Sequence, residues 1–490
     1  MDIEALSQKL CRLRSSSIDL RRLLTRLFIF IIFSILILTA VQYHRAGAIF
    51  SYIDKDDRPF EITEFDLDSV NRTISRYEKQ PISPPFKTQF WEVGQRLRQL
   101  TGWVDHADQL NSKAPIRQHL EQAVESLSSD LFPFLSKNSS TPFADLRSSF
   151  EAGSKGIVIP VGGATALRFA SHLIVSLRTV LKSELPIEVV YAGESDLSTT
   201  DRESMMGLEG ATNITFTDIF SIVDDSTLKL ADGGWAIKAF AALTSSFEHV
   251  ILMDADAIFL RKPEALFDQQ VYQEHGALLY HDRLLWQHAF RERHNWIEDQ
   301  IKEPSPAMNK SLVWTEDYAE ECDSGVVVLN KSRTEVLAGL LHTAWQNTQE
   351  VRDEVTYKLM YGDKESWWMG LELAGSGYGF EANYASIMGW QDECGDKKEE
   401  CVCSFTISHI DDEGKLIWFN GSLLKNKHID AKTFALPEAW MTNGKWRKGA
   451  SKADMSCMVN APISPLQDSE LGILKRSIEA AKRADKSLGV

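Results

Sequence analysis

The segment HVILMDADA, residues His249–Ala257, decides the fold class of this chain. Its run of Val, Ile, Leu and Met is typical of a strand that is buried on both faces. Asp254 and Asp256 follow at once, so two carboxylates leave the end of this strand. Unpaired buried charge is costly, whereas carboxylates are ligands that Mg²⁺ or Mn²⁺ accepts together with a substrate phosphate. We therefore interpret the pair as a metal and diphosphate site, and a solvated turn is the alternative.

Short apolar runs alternate with amphipathic stretches on both sides of this segment. Predicted strands cover Gly156–Val161, Ile187–Ala192, Ile214–Ile219, Ala277–Tyr280 and Gly325–Leu329, and predicted helices cover Ala164–Lys182, Trp235–Phe247, Thr334–Leu359 and Ser366–Leu373. This alternation predicts an α/β fold built on an open sheet. Ligands bind at the carboxyl ends of strands in such sheets, so polar residues that follow the strands are the candidates for a site.

The composition excludes several classes of protein. The 490 residues are 43% hydrophobic and 25% charged, which excludes a collagen, a disordered tail protein and a polytopic membrane protein. The net charge of −16 argues against a nucleic-acid partner, because such proteins neutralise phosphates with basic groups. An acidic surface tolerates a neutral partner such as a sugar, or an anion masked by a metal. The 13 Trp, 24 Phe and 11 Tyr serve cores first and carbohydrate-stacking faces second.

The N-terminal region predicts a membrane anchor. Leu27–Tyr43 contains 17 residues without a charge, and a basic segment precedes it. The positive-inside rule then gives a cytosolic tail at 1–26, a transmembrane signal-anchor at 27–43 and a luminal remainder. A cleaved signal peptide is the alternative. We expect a type II protein, with a lipid bilayer as one partner.

The luminal part is expected to contain three further regions. Residues 44–150 form a stem and a helical collar, in which Gln89–Leu100 and Ile116–Phe132 are amphipathic. Residues 151–460 form the catalytic domain, and residues 461–490 a C-terminal helical tail.

The cysteines predict a local disulfide. Cys394, Cys401 and Cys403 lie close together without zinc-ribbon spacing or a nearby His, so a disulfide is favoured over a metal site. Together with Cys322 and Cys457 they make an odd number of luminal cysteines, so at least one thiol is left outside any intramolecular disulfide. The pairing among the five stays open.

Five ordered motifs resemble the fungal α-mannosyltransferase family that includes Golgi α-1,3-mannosyltransferases (glycosyltransferase family 71). They are GIVIPVGG at Gly156–Gly163, LPIEVVYAGESDL at Leu185–Leu197, IKAFAALTSSFEHVILMDADAIFLRKPEALF at Ile237–Phe267, CDSGVVVLNKSR at Cys322–Arg333 and YGDKESWWMGLELAG at Tyr361–Gly375. The resemblance implies a GT-A-type nucleotide-diphospho-sugar transferase domain, a Rossmann-like mixed sheet with a D-x-D motif. It also implies GDP-mannose as donor, Mn²⁺ (or Mg²⁺) at Asp254 and Asp256, and retention of the anomeric configuration.

Four further residues are expected near the donor. Gly162 and Gly163 follow the first strand and allow close approach of a nucleotide, or they form a tight strand-to-helix turn. Lys238 matches a family lysine that could reach the diphosphate as a point charge, or it caps a solvated face. Lys425 is a second candidate partner of the diphosphate.

Two acids are the candidate catalytic residues. Asp323 stands where the family usually has Glu in Glu-Ser-Gly; it is expected to hydrogen-bond the donor sugar or stabilise developing positive charge, and the alternative is a turn cap. The family match favours Asp363 as an orienter or base, against a helix N-terminal role. Of Trp367 and Trp368 on the same helix, one is expected to stack on a sugar.

The third metal ligand is left open between three residues. The resemblance places Asn420 where the family has a His, and Asn is a legitimate but weaker oxygen ligand for Mn²⁺. His409 and His428 are its rivals. The route by which configuration is retained also stays open.

The whole pattern predicts a Golgi membrane enzyme that moves mannose from GDP-mannose to a mannosylated glycan or glycoprotein. An α-1,3 linkage, a role in protein glycosylation or mannan assembly, and a complex with other membrane glycosyltransferases are part of this expectation. The alternatives are a transferase of the same fold that uses a UDP-sugar, and a catalytically silent glycan-binding subunit.

Overall fold

A computed structural model describes residues 67–137, 139–395 and 399–490 of the chain. The predicted cytosolic tail, the membrane anchor and the first part of the stem lie outside these residues. Among the described residues, no helix is both long and apolar enough to cross a membrane.

The helices occupy mainly the first three quarters of the described chain and its C-terminal end. The α-helices are α1 Leu67–Lys79, α2 Phe90–Gln109, α3 Pro115–Leu131, α4 Pro142–Ser148, α5 Gly163–Val175, α6 Thr199–Met206, α7 Ile237–Thr244, α8 Gln270–His275, α9 Arg291–Gln300, α10 Leu312–Glu316, α11 Thr334–Gln346, α12 Gln349–Val351, α13 Tyr357–Leu359, α14 Lys364–Ala374 and α15 Asp468–Leu488. Two π-helical segments, Ser176–Val180 and Arg352–Thr356, extend α5 and α12.

The strands fall into two groups along the chain. The first group comprises β1 Glu151–Pro160, β2 Ile187–Tyr191, β3 Ile214–Asp218, β4 Phe247–Met253, β5 Ala257–Phe259, β6 Ala277–His281, β7 Cys322–Asn330 and β8 Gly379–Phe380. The second comprises β9 Ile387–Cys394, β10 Glu399–Ser404, β11 Ile407–Ile410, β12 Leu416–Asn420, β13 Leu424–Asn426, β14 Asp430–Phe434, β15 Ala439–Met441, β16 Lys445–Arg447, β17 Ser456–Val459 and β18 Ser464–Pro465.

The main sheet has seven strands in the order β3-β2-β1-β4-β7-β6-β8. The pairs β1–β2, β2–β3 and β1–β4 are parallel, whereas β7 runs antiparallel to both β4 and β6. The mixed α/β sheet of the sequence prediction is therefore confirmed. The antiparallel β7 has a consequence for the site, because its amino end lies at the same sheet edge as the carboxyl end of β4.

The predicted elements around this sheet are largely confirmed, with two differences. The predicted helix at Thr334–Leu359 is interrupted at Asn347, whose side chain donates to the carbonyl of Thr343 at 2.8 Å and to Ser366 at 3.0 Å. The predicted helix at Trp235–Phe247 ends at Thr244, and Phe247 is already the first residue of β4.

A second sheet of six strands follows, in the order β16-β17-β10-β9-β15-β18. Disulfides join Cys394 to Cys401 and Cys403 to Cys457 within it, so the predicted local disulfide is confirmed. Cys322 is the free cysteine of the described residues, and it is buried in β7.

The helical collar packs directly on the main body. Helix α2 contains Gly94, where an added Cβ would stand 2.6 Å from the carbonyl oxygen of Leu373, so the two backbones are in close contact. The guanidinium of Arg98 donates to the carbonyls of Leu373 at 2.9 Å and Glu372 at 3.0 Å, at the C-terminal end of α14. Leu67–Val490 accordingly forms one compact unit.

Candidate active site

Three chain segments meet at one edge of the main sheet. Asp254 follows the carboxyl end of β4, and its backbone N–H donates to the carbonyl of Gly325 in β7 at 2.8 Å. The antiparallel pairing of β4 with β7 therefore brings Asp323 to the edge that carries Asp254. A small sheet, β11-β12-β5, adds Asn420, which pairs with Ala257 next to Asp256.

Lys238 is the centre of the first cluster. Its ammonium lies 2.9 Å from a carboxylate oxygen of Asp254 and 3.1 Å from one of Asp363. It also donates to the carbonyl and hydroxyl oxygens of Ser324, at 2.7 and 2.9 Å. Burial by itself would lower the pKa of this lysine, but Asp254 and Asp363 raise it above its ordinary value. Lys238 is therefore a permanent cation between two of the predicted site acids.

Asp254 and Asp256 each contact one lysine and remain partly accessible. Their side chains are 23% and 14% exposed, and Asp256 contacts the ammonium of Lys427. The pKa of Asp254 is raised to about 6, first by desolvation of its carboxylate and then by the neighbouring acids Asp256 and Asp363. The charge of Lys238 opposes this increase. An ionised carboxylate is thus held here at a free-energy cost, which is expected where a cation or a reacting group binds.

Asp323 belongs to a second cluster that is closed to solvent. One of its carboxylate oxygens contacts Nε2 of His409 at 3.0 Å, and Nδ1 of His409 contacts Glu381. The side chains of Asp323, His409 and Glu381 are only 1%, 0% and 5% exposed. Burial would lower the pKa of His409, but the two carboxylates raise it to about 9, so the ring is an imidazolium at neutral pH.

Asn420 connects the two clusters. Its amide nitrogen donates to Asp323 at 3.1 Å, so its carbonyl oxygen is turned away from that carboxylate. Both ring nitrogens of His409 are engaged by carboxylates, so it has no lone pair for a metal in this arrangement, against its role as a rival ligand. His428 is exposed at the level of the whole residue. Its pKa is lowered, first by partial desolvation of the ring and then by the charges of Lys427 and Lys452, against the opposing effect of Asp256. Asn420 and His428 thus remain the candidates for a third ligand.

The structure assigns different positions to the other predicted residues. Gly162 packs against the carboxylate of Asp196, which an added Cβ would approach to 2.3 Å, so this packing requires a glycine; close approach of a nucleotide there stays a prediction. Gly163 has a φ of +74° and open space around its Cα, which leaves it available to a ligand. Lys425 is exposed with its ammonium 5.4 Å from the ring centroid of Trp390, and Lys427 is the lysine that reaches the carboxylate pair.

The paired tryptophans do not face a ligand, so the expected stacking of one of them on a sugar is wrong. Trp367 and Trp368 are 1% and 0% exposed. Their indole N–H groups donate to Asp363 at 2.8 Å and to Glu365 at 2.7 Å. They are therefore positioning groups that orient carboxylates, because a buried indole N–H requires an acceptor.

Sequence reasoning missed Lys427 and Glu381. Lys427 lies two residues beyond Lys425, in a turn where the N–H of His428 donates to the side chain of Asn426. The two lysine side chains therefore contact different groups, Asp256 and Trp390. No local pattern distinguishes the two lysines. Glu381 follows the two-residue strand β8, which is too short to leave a periodic signal.

The residues at the sheet edge fit a divalent cation. Asp254 and Asp256 present hard oxygen donors at a strand end and are partly accessible, and Asn420 pairs in the small sheet with Ala257, the residue after Asp256. Two lysines adjoin them and could pair with an anionic ligand that carries the cation. This donor set suits a metal–diphosphate group.

The comparisons with known proteins identify a family. Residues 154–411 match the family model described as "Mannosyltransferase putative". The chain is 28% identical over 274 residues to alpha-1,3-mannosyltransferase MNT3 of Saccharomyces cerevisiae, covering 49% of this chain and 42% of the relative. It is 25% identical over 304 residues to alpha-1,3-mannosyltransferase MNT2 of the same organism, covering 56% and 52%. The matched region thus spans about half the length of these curated relatives.

Among solved structures, the mannosyltransferase Ktr4p from S. cerevisiae in complex with GDP is similar at a TM-score of 0.32 and 10% identity, covering 64% of this chain and 82% of that chain. That TM-score is too low to carry a conclusion. The family match covers more than half of the chain and includes the strand that carries Asp254 and Asp256. The protein therefore belongs to this mannosyltransferase family.

Proposed function

We propose that this protein is a GT-A-type glycosyltransferase that moves mannose from GDP-mannose to a mannose-bearing glycan. The observation that carries the proposal is the pair Asp254 and Asp256, which leaves a buried strand partly exposed, each acid beside a lysine. Family membership supports mannose as the transferred sugar. An α-1,3 linkage and retention of configuration are the finer parts of the proposal.

Mn²⁺ or Mg²⁺ would be held by Asp254 and Asp256, with Asn420 or His428 as a third ligand. When bound, the ion would supply Lewis-acid charge that offsets the charge of the leaving diphosphate. Lys238 and Lys427 add fixed positive charge at the same edge.

The chain's own acids have separate tasks in this proposal. Asp323 is held ionised by His409, which favours stabilisation of positive charge that develops on the transferred sugar. Asp363 is oriented by Lys238 and Trp367 and would orient the acceptor hydroxyl. Both acids are buried, so their carboxylates are shielded from bulk water.

A donor panel tests this function. The purified protein is incubated with GDP-mannose, other GDP-sugars and UDP-sugars, with α-mannobiose as acceptor and with Mn²⁺, Mg²⁺ or EDTA. We expect transfer from GDP-mannose with Mn²⁺ and loss of transfer with EDTA. NMR of the product gives the linkage and the anomeric configuration.

Lys425→Ala is a control, since Lys425 lies away from the carboxylate pair and should leave the donor preference unchanged. Transfer from a UDP-sugar instead of GDP-mannose would refute the donor assignment. Binding of the glycan without transfer from any donor would favour the silent subunit.

We also propose a Golgi membrane location with the catalytic part in the lumen. The support is the charge-free segment Leu27–Tyr43 behind a basic tail. Protease protection of the described region in intact vesicles, lost on addition of detergent, is the expected result. Digestion without detergent would contradict it.

A further inference from the structure

Two pairs of large aromatic side chains are exposed on the described part of the protein. Among the residues that the structure describes, the exposed large aromatic side chains are Trp235 at 50%, Trp286 at 47%, Phe290 at 43% and Tyr361 at 60%. They form two pairs, and in the pair Trp235 and Tyr361 each residue lies within three positions of a candidate site residue, Lys238 or Asp363. The platform formed by Trp235 and Tyr361 has no part in the site described above.

The two rings of this platform are held next to each other. Their centroids are 5.6 Å apart with an interplanar angle of 42°, and the ring of Tyr357 stands against Trp235 at 6.4 Å with an angle of 69°. Gly362 has a φ of +67°, and an added Cβ there would stand 2.7 Å from Cε3 of Trp235. The absence of a side chain at Gly362 therefore allows the indole to lie on the backbone beside Tyr361.

Short lengths of chain connect the platform to the site. Trp235 lies three residues before Lys238, and Tyr361 lies two residues before Asp363. The ammonium of Lys238 and the carboxylate of Asp363 are 3.1 Å apart. The two chain segments that carry the rings of the platform are therefore joined by one ion pair. The platform thus lies close along the chain to Asp363, and the same ammonium of Lys238 contacts Asp254 at 2.9 Å.

The surroundings of the rings restrict the chemistry of a ligand. The ammonium of Lys364 lies 5.9 Å from the ring centroid of Tyr361, and Asp363 follows Tyr361 by two positions in the chain. The side chain of Lys364 is 17% exposed, so an extended apolar partner would have to cover a partly hydrated charge, which is costly. A pyranose presents apolar C–H groups on one face and hydroxyl groups at its edge, which matches aromatic rings bordered by charged groups.

We propose that Trp235 and Tyr361 form the binding platform for the acceptor saccharide, and that a mannose residue of the acceptor stacks on them. This rests on the proposed function, because the reacting hydroxyl must reach Asp363 from the platform. The platform binds the sugar by its rings, and Gly362 is a positioning residue for Trp235.

Kinetics of the variants test the proposal. Trp235→Ala and Tyr361→Ala should each raise the KM for α-mannobiose by about tenfold, the scale of one lost aromatic contact, with the KM for GDP-mannose unchanged. The rate of donor hydrolysis without acceptor should stay within twofold of wild type. Trp235→Phe keeps a ring and should retain most of the affinity, and Gly362→Ala should reproduce part of the defect with both rings present.

Trp286→Ala is the matched control, because Trp286 is equally exposed but belongs to the other aromatic pair. Its KM for α-mannobiose should equal that of wild type. The proposal is overturned if Trp235→Ala and Tyr361→Ala leave the acceptor KM unchanged, if they lower donor hydrolysis equally, or if Trp286→Ala has the larger effect.

Direct binding separates this proposal from the proposed function. Saturation-transfer NMR with α-mannobiose should show contact to wild-type protein and to Trp286→Ala, and weak contact to the double variant of Trp235 and Tyr361. If no donor supports transfer but this difference is seen, the platform stands and the proposed reaction fails. If wild type shows no contact, or the double variant binds as wild type does, the platform is refuted. Circular dichroism confirms that each variant is folded.

Discussion

Two acidic clusters lie side by side at one sheet edge and differ in how their charge is compensated. In the open carboxylate pair, Asp254 and Asp256 are 23% and 14% exposed and each contacts one lysine. In the closed ion chain, Asp323, His409 and Glu381 form a continuous row of contacts with at most 5% exposure. The carboxylates of the open pair are partly exposed and can accept a further ligand. The charges of the closed ion chain are paired with each other inside the protein.

The difference separates a binding role from a positioning role. Burial, together with repulsion from Asp256 and Asp363, raises the pKa of Asp254. The charge of Lys238 opposes these effects but does not fully offset them. In the closed chain the imidazolium of His409 lowers the pKa of Asp323 despite complete burial. We therefore expect the open pair to cost stability in return for ligand binding, and the closed chain to stabilise the fold.

The largest expected effect comes from removing the open pair. Asp254→Asn or Asp256→Asn should lower the transfer rate at least about a thousandfold, the scale of losing a directly bound charge in the transition state. The Tm without metal should be equal to that of wild type or higher, because the change removes repulsion between acids. Activity assays and calorimetry on the same samples check both parts. A wild-type rate in either variant would falsify the site assignment.

Breaking the closed chain should reduce both activity and stability. His409→Gln should lower the transfer rate about tenfold or more, because Asp323 loses the group that orients it. At pH 6 the free energy of unfolding should fall by about 3 kcal/mol, the scale of breaking a buried ion pair. Urea unfolding measures this loss, and Lys425→Ala serves as a surface control. An unchanged free energy of unfolding would show that the closed ion chain makes no net contribution to stability.

The pH dependence of stability distinguishes His409 from a neutral hydrogen-bonding residue. Its pKa of about 9 in the folded protein lies above the ordinary value of 6.5. Its stabilising contribution is therefore fully present below about pH 6.5 and is lost as the pH rises through about 9. The stability gap between wild type and His409→Gln should accordingly narrow from pH 6 to pH 9.5. A constant gap across this range would mean that the ring is not charged.

The two lysines after β12 give a smaller and more selective effect. Lys427→Ala should raise the KM for GDP-mannose about tenfold, because a point charge beside Asp256 is lost. Lys425→Ala should change this KM less than twofold, since Lys425 lies over Trp390. Steady-state kinetics at saturating Mn²⁺ make the comparison. A larger increase in KM for Lys425→Ala than for Lys427→Ala would show that Lys425 is the lysine that contacts the diphosphate.

The smallest effect is expected at Cys322, which is next to the closed chain. The thiol is buried, and burial together with nearby acids raises its pKa well above the ordinary value. It should resist N-ethylmaleimide in the native protein and react in urea, as followed by peptide mass spectrometry. Cys322→Ser should keep transfer within about twofold, provided that the hydroxyl finds an acceptor. Rapid native labelling would show that the region opens to solvent.

The two sheets show how far sequence patterns reach. Six of the seven strands of the main sheet were predicted, because the central ones are continuous apolar runs such as β4 and β7, whereas the two-residue β8 was not. The six-stranded sheet was not predicted, because strands such as β16 and β18 have only three and two residues and carry polar side chains. Its structure depends on cross-strand pairing and on the disulfide between Cys403 and Cys457.

The sequence alone determined the α/β fold, the position of Asp254 and Asp256 at a strand end, and the local disulfide. These follow from contacts between residues that are near each other in the chain, where period and spacing are visible. Only the tertiary structure decided that Lys427 faces Asp256 while Lys425 does not, and that Glu381 and His409 hold Asp323. The tertiary structure also decided that Trp367 and Trp368 are buried and that Trp235 and Tyr361 are exposed. The physical reason is that charge pairing and exposure depend on groups brought together from distant parts of the chain, which no local pattern records.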